Sequence, residues 1–137
     1  MHITGEGRAL AADVGMPNQA GLEGGVPVGS SATGGAWAGP TPLGPPSGWT
    51  TVPQLGPWGT TDAVAIYAGA ANSPFDGGYA IRASWFAPRT GFAPSVVIGG
   101  PLITNDAGGL SLAGGGTAPL LVAWPASGGG VSVTAAQ

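Results

Sequence analysis

Apolar and polar positions alternate most regularly near the middle of the chain, over residues 79–86. Tyr79, Ile81 and Trp85 lie at alternating positions, and Arg82 lies on one of the positions between them. Because successive side chains of a β-strand point to opposite faces, this period of two predicts a strand with one apolar face and one partly polar face.

Shorter apolar segments continue this pattern on both sides of the strand. In residues 62–68, Val64 and Ile66 share one face, and residues 70–78 contain the Asx and glycine residues that favour a hairpin turn. Further short strands are predicted at 95–98, 102–104, 110–112, 119–124 and 131–133, with a bulge or corner at 99–101. Strands at roughly ten-residue spacing with turns between them predict an all-β fold, a small β-sandwich or jelly roll.

The first 59 residues show no such alternation. Over residues 24–59, Gly, Pro, Ser and Thr separate single apolar residues, which is typical of extended, turn-rich chain. Two interpretations remain open: irregular strands and loops of the same β domain, or an arm that lies on a neighbouring subunit. Residues 8–14 predict one short helical turn. We therefore expect a long Gly/Pro-rich arm at 1–59, with its partial integration into the β domain left open, and a β-sandwich domain at 60–137.

Charged residues are scarce along the chain. Three arginines and six carboxylates make up 7% of the chain, and lysine is absent. An ordinary soluble domain has about 25% charged residues, so these are too few to cover a solvated surface. Disorder is not expected despite 28 glycines and 14 prolines, because 43% of the residues are hydrophobic and the net charge is only −3. We expect partner chains to cover the two charge-free stretches, residues 24–61 and 107–137.

The same composition argues against several kinds of partner and site. Three scattered arginines do not form the basic surface that nucleic acid requires. Prolines and glycines interrupt the apolar stretches well before the roughly 18 residues of a membrane-spanning helix. The N-terminus lacks a basic segment followed by an apolar one, so we expect synthesis in a host cytoplasm without a signal peptide. With no cysteine, neither disulfides nor thiolate metal sites are available.

Candidate catalytic groups are equally few. His2, the single histidine, lies in the predicted arm, which argues against a Ser-His-Asp triad. A glycosidase needs two carboxylates, but Asp62, Asp76 and Asp106 lie at strand starts or turns, where such side chains cap the backbone. Asp76 and Asn105 with Asp106 are weak candidates for binding Ca²⁺. We expect no enzymatic activity and no cofactor.

The tryptophans and two arginines are the remaining candidates for binding. A tryptophan ring in a charge-poor groove can stack on a sugar, although burial in a core or subunit interface is more common. The arginines are candidates for pairing with acidic residues of a neighbouring subunit, with a solvated or intrachain pair as the alternative. The candidate interface or ligand-stacking residues are Trp37, Trp49, Trp58, Trp85, Trp124, Arg82 and Arg89.

The chain resembles a group of accessory virion proteins. The resemblance lies in a small chain without cysteine or lysine, a Gly/Pro/Trp-rich segment at 24–59, and glycine-separated strands such as 95–104 and 119–124. The group comprises the head-decoration, head-spike and fibre-base proteins of tailed phages and gene-transfer-agent particles. The resemblance implies a protein that binds the outer surface of a capsid, commonly as a trimer or pentamer, and either reinforces the capsid or mounts a fibre.

Two functions are therefore expected in competition. The first is a non-enzymatic structural virion protein that decorates or caps a capsid surface, or forms the base of a spike or fibre. Its expected partners are other copies of itself and neighbouring capsid or fibre proteins. Binding to nucleic acid or to a membrane is not expected. The alternative is a carbohydrate-binding β-sandwich module that uses exposed tryptophans.

Overall fold

A computed structural model describes residues 2–3, 9–15, 26–33, 36–44, 50–60, 62–70, 79–102, 110–125 and 131–136. These residues form strands connected by turns and loops, and no helix occurs among them. The strands are β1 (His2–Ile3), β2 (Ala9–Gly15), β3 (Val26–Thr33), β4 (Ala36–Pro42), β5 (Gln54–Trp58), β6 (Asp62–Ala70), β7 (Tyr79–Ala87), β8 (Gly91–Phe92), β9 (Val96–Leu102), β10 (Ser111–Gly114), β11 (Leu120–Pro125) and β12 (Val131–Ala136).

The strands form three antiparallel sheets. The N-terminal sheet has the order β1-β2-β3-β4, and the C-terminal sheet has the order β10-β11-β12. The central five-stranded sheet has the order β5-β6-β7-β8, and β9 also pairs with β7. The predicted all-β class is confirmed, and the arrangement is consistent with a small β-sandwich.

The strongest sequence pattern forms the centre of the fold. β6 pairs with β7 from Ala63 opposite Phe86 to Ala70 opposite Tyr79, as a hairpin connection requires. The predicted bulge after Ile98 is also confirmed, because the pairing of β9 with β7 shifts register twice. The predicted hairpin turn itself lies outside the described residues.

One face of the central sheet packs against the C-terminal sheet. Val64 and Ile66 on β6 and Ile81 on β7 form a buried cluster with Val122 and Trp124 on β11. This is the apolar face that the alternation over residues 79–86 predicts. Burial of so many aliphatic and aromatic groups makes this interface the main hydrophobic core.

The opposite face of the central sheet is covered as well. Ala63 packs with Leu10 of β2, and Ala65 and Tyr67 pack with Leu43, which follows β4. Alanine at two of these positions gives little side-chain bulk, so the covering layer can approach closely. As a result, every residue of β6 from 63 to 69 is buried.

The helical turn predicted at residues 8–14 is wrong, because Ala9–Gly15 forms the strand β2. This strand pairs with β1 on one side and with β3 on the other. Its Leu10 is fully buried against the central sheet. A single helical turn has weak intrinsic stability, so pairing and burial of Leu10 outweigh the local preference.

The described parts of residues 1–59 lie mainly in strands of the same chain. Gln54–Trp58 pairs with β6 along its whole length, and Gly29 on β3 lies against the ring of Phe92. These contacts join described parts of residues 1–59 to the central sheet of the same chain. The domain boundary after residue 59 stays a prediction.

Candidate functional site

The candidate tryptophans lie in different environments. Trp37 on β4 is 55% exposed, whereas Trp124 on β11 is buried and lies against Gly99 of β9. Trp58 and Trp85 are half-buried and meet edge to face, with ring centroids 5.7 Å apart and an interplanar angle of 76°. Among the four described tryptophans, the structure brings Trp58 and Trp85 together. Trp49 lies outside the described residues.

A shallow cleft of about 310 Å³ lies beside the Trp58 ring. Its other walls are residues 59 and 116–118. The glycines at 114, 115 and 116 all have left-handed backbone, with φ of 78°, 89° and 69°. The amide of Gly116 donates to the Pro57 carbonyl at 3.0 Å, which ties this turn to the end of β5. This glycine turn is thus the joint between the central and C-terminal sheets.

The two candidate arginines are not neighbours. Arg89 is exposed in the turn between β7 and β8. Arg82 is half-buried on β7, where its Nε donates to Ser95 Oγ at 3.0 Å and its Nη2 donates to the Ser95 carbonyl at 3.1 Å. The Arg82 guanidinium thus fastens the segment before β9 within the same chain.

Ser95 also forms a hydrogen bond with the buried side chain of Tyr67, a residue that was not among the candidates predicted from the sequence. Its Oγ lies 2.7 Å from the Tyr67 hydroxyl oxygen in a buried hydrogen bond. Burial raises the pKa of Tyr67 above its ordinary 10.0, while the hydrogen bond with Ser95 and the nearby positive charge of Arg82 oppose part of that rise. We call these three residues the Tyr67–Ser95–Arg82 cluster.

Gly44 closes over this cluster. A β-carbon at residue 44 would overlap both the Tyr67 hydroxyl and the Ser95 hydroxyl, so only glycine fits without displacement. The Leu43 carbonyl accepts from the Ser95 amide at 2.8 Å. These contacts connect the end of β4, the middle of β6 and the start of β9.

The cluster borders an open cleft of about 570 Å³. The lining residues are Thr41, Pro42, Leu43, Gly44, Arg82, Phe92, Pro94 and Ser95. A serine nucleophile needs a neighbouring base to take its proton. The groups bound to Ser95 Oγ are a phenol and a guanidinium, which do not act as bases near neutral pH. The arrangement therefore positions the backbone and supplies one cation to the cleft.

No group of three or more metal-ligating side chains occurs in the described part of the chain. The weak Ca²⁺ candidates Asp76, Asn105 and Asp106 lie outside the described residues and stay untested. Asp62 begins β6 and is half-buried. Likewise, no helix within the described ranges is long and apolar enough to cross a membrane.

Exposed apolar side chains are more prominent than any catalytic arrangement. Besides Trp37, the large exposed ones among the residues with described burial are Val52, Val96, Val97 and Leu121. All seven residues of β4 are exposed, and none of them is charged.

Comparison with known proteins gives no relative for this chain: no family model, curated protein or solved structure matches it.

Proposed function

We propose that this protein is a non-enzymatic structural subunit of a virion, which decorates or caps a capsid surface or forms the base of a spike or fibre. It works through contacts with other copies of itself and with neighbouring capsid or fibre proteins. The observation that carries the proposal is the uncharged, exposed strand β4 together with exposed aliphatic residues on other strands.

The physical argument concerns what an uncharged surface does in water. Exposed apolar residues are normal when they are scattered among charged ones, whereas contiguous apolar surface marks an interaction site. With 7% charged residues, the chain has few groups to separate its exposed apolar positions. Contacts with neighbouring subunits would remove this surface from water and thereby stabilise an assembly.

The virion part of the proposal rests on the compositional resemblance described above. Its test is the set of genes that flank the coding sequence, where we expect genes for capsid, portal or tail proteins. A neighbourhood of metabolic genes with no particle genes would count against a virion role while leaving self-assembly possible.

The assembly part is tested by the mass of the purified chain, measured by light scattering and sedimentation from micromolar to millimolar concentration. We expect defined oligomers or reversible association. A chain that stays monomeric and soluble over the whole range would contradict the proposal.

A second candidate function is carbohydrate binding, which the exposed ring of Trp37 and the cleft beside Trp58 favour. Stacking of a sugar on an indole face requires such accessible rings. A glycan array should then give binding that Trp37→Ala or Trp58→Ala removes and that Leu121→Ala retains. An array without any binding would rule this candidate out.

A further inference from the structure

The C-terminal sheet has two faces of similar composition, and one of them is open. Leu120, Val122 and Trp124 on β11 are buried against the central sheet. The residues between them turn to the other side, where Leu121 is 44% exposed and Ala123 is half-buried. β11 is therefore apolar on both faces and covered on one.

The register of the sheet identifies which residues share this open side. One cross-strand row is Ser111 with Ala123, and the next is Ala113 with Leu121. Ser111 and Ala113 are both exposed. We call Ser111, Ala113, Leu121 and Ala123 the outer face of the C-terminal sheet, and none of these four residues is charged.

Antiparallel sheets that have one face in water normally alternate apolar and polar residues. Strands buried on both faces instead form nearly continuous apolar runs. The run Leu120–Trp124 is wholly apolar, as is Ala63–Ile66 in β6, and β6 is covered on both sides. β11 thus has the composition of a strand with a layer on each face.

We propose that a second copy of this chain covers the outer face, so that the C-terminal sheets of two molecules pack face to face about a two-fold axis. The inference rests on the proposed function as a self-assembling subunit and names the surface it uses. In a two-fold contact the same patch meets itself, so charged residues would meet like charges near the axis. An uncharged face avoids that repulsion, which is why we assign a second copy as the partner.

The area of the outer face determines how strong the contact between two copies is expected to be. Strands about 4.8 Å apart with a rise of roughly 3.4 Å per residue give a face of about 300 Å² for this sheet. Stable complexes bury about 800 Å² per partner, so this contact alone would be weak and concentration-dependent. In an assembly it would act together with other contacts.

The test compares Leu121→Glu with Thr90→Glu. Thr90 is exposed in the turn between β7 and β8, outside the C-terminal sheet and outside the two charge-free stretches, so both variants add one negative charge at an exposed position. We expect Leu121→Glu to weaken self-association at least about tenfold, because an uncompensated charge would be buried in the contact. Thr90→Glu should associate like the unchanged protein.

A cysteine scan provides the second measurement, since the natural chain has no cysteine. Leu121→Cys should give a crosslinked dimer with a short thiol-specific reagent, and Thr90→Cys should give little. Circular dichroism of each variant checks that the fold is retained.

Two results would overturn the inference separately from the proposed function. If Leu121→Glu associates as strongly as the unchanged protein, or if Thr90→Glu alone abolishes association, the subunit assembles through another surface. If the unchanged protein is monomeric at every concentration, both the inference and the assembly part of the proposed function fail.

Discussion

The central sheet and the C-terminal sheet use the same kind of sequence with different outcomes. In β6, the apolar run is covered on one face by β11 and on the other by residues of the N-terminal part, including Leu10 and Leu43. In β11, one face is covered and Leu121 on the other is exposed. An apolar run therefore predicts a strand whose two faces are both suited to burial. Whether both faces are buried depends on whether a second layer packs on each side.

Truncating the doubly covered strand should have the largest effect. Ile66 is fully buried in the main core, so Ile66→Ala should lower the free energy of unfolding by about 2–5 kcal/mol. Leu121→Ala is the matched change on the open face and should cost less than about 0.5 kcal/mol at a concentration where the chain is monomeric. Urea unfolding of both variants measures the difference. Equal losses would show that the outer face is already covered within one chain.

The joint between the two sheets should be the next most sensitive place. Gly115 has φ of 89°, and a β-carbon there would overlap the Pro57 carbonyl oxygen. We expect Gly115→Ala to cost about 3 kcal/mol, from left-handed strain together with displacement of β5.

Gly59→Ala is the control for that prediction, because Gly59 also has positive φ, at 60°, but open space around its α-carbon. Its cost should be about 1 kcal/mol from strain alone. Thermal or urea unfolding gives both values, and a similar cost at the two glycines would mean that the joint relaxes freely.

In the Tyr67–Ser95–Arg82 cluster, removal of the Ser95 hydroxyl should lower stability more than removal of the Tyr67 hydroxyl. Ser95→Ala removes a partner from both the Tyr67 hydroxyl and Arg82 Nε, so it should cost about 1–3 kcal/mol. Tyr67→Phe leaves Ser95 Oγ with the Arg82 donor and should cost about 1 kcal/mol. Combining the two changes in a double-mutant cycle should give less than the sum. Strict additivity would contradict the Tyr67–Ser95 hydrogen bond.

The smallest effect is a loss of stability in alkaline solution. Burial raises the pKa of Tyr67 above 10.0, so between that value and the folded-state pKa the unfolded chain releases a proton that the folded chain retains. Proton release from the unfolded state favours unfolding, and stability therefore falls as pH rises above about 10. Because the chain has no lysine, few other groups titrate in this range. The urea midpoint should fall more steeply with pH in the unchanged protein than in Tyr67→Phe, and parallel curves would contradict the shift.

The regular strands were predictable because their own residues carry the signal. Alternation over residues 79–86 and the apolar runs at 62–68 and 119–124 correspond to β7, β6 and β11. β2 was misread as a helical turn, because the burial of Leu10 depends on a sheet that its local sequence does not reveal. β3 and β4 lie within the segment whose Gly and Pro content left two interpretations open.

The candidate site was less predictable than the fold. Arg82 was singled out because charge is rare, but its partner Ser95 was not, since a serine beside a proline has no distinctive pattern. Tyr67 lies 28 residues from Ser95 in the sequence, and only the pairing of β6, β7 and β9 brings their hydroxyls together. In the sequence, Tyr67 differed from its neighbours only in having a polar hydroxyl within an otherwise apolar strand.

Periodicity and composition were enough to predict that this protein is built from short strands joined by turns and that it carries few charges, because both are properties of each segment alone. Which apolar faces are covered depended on the packing of the sheets, because burial requires a second layer at the right register and distance. For this reason β6 and β11 are similar as sequences, and only the packing of the sheets showed that the face of β11 that carries Leu121 is exposed.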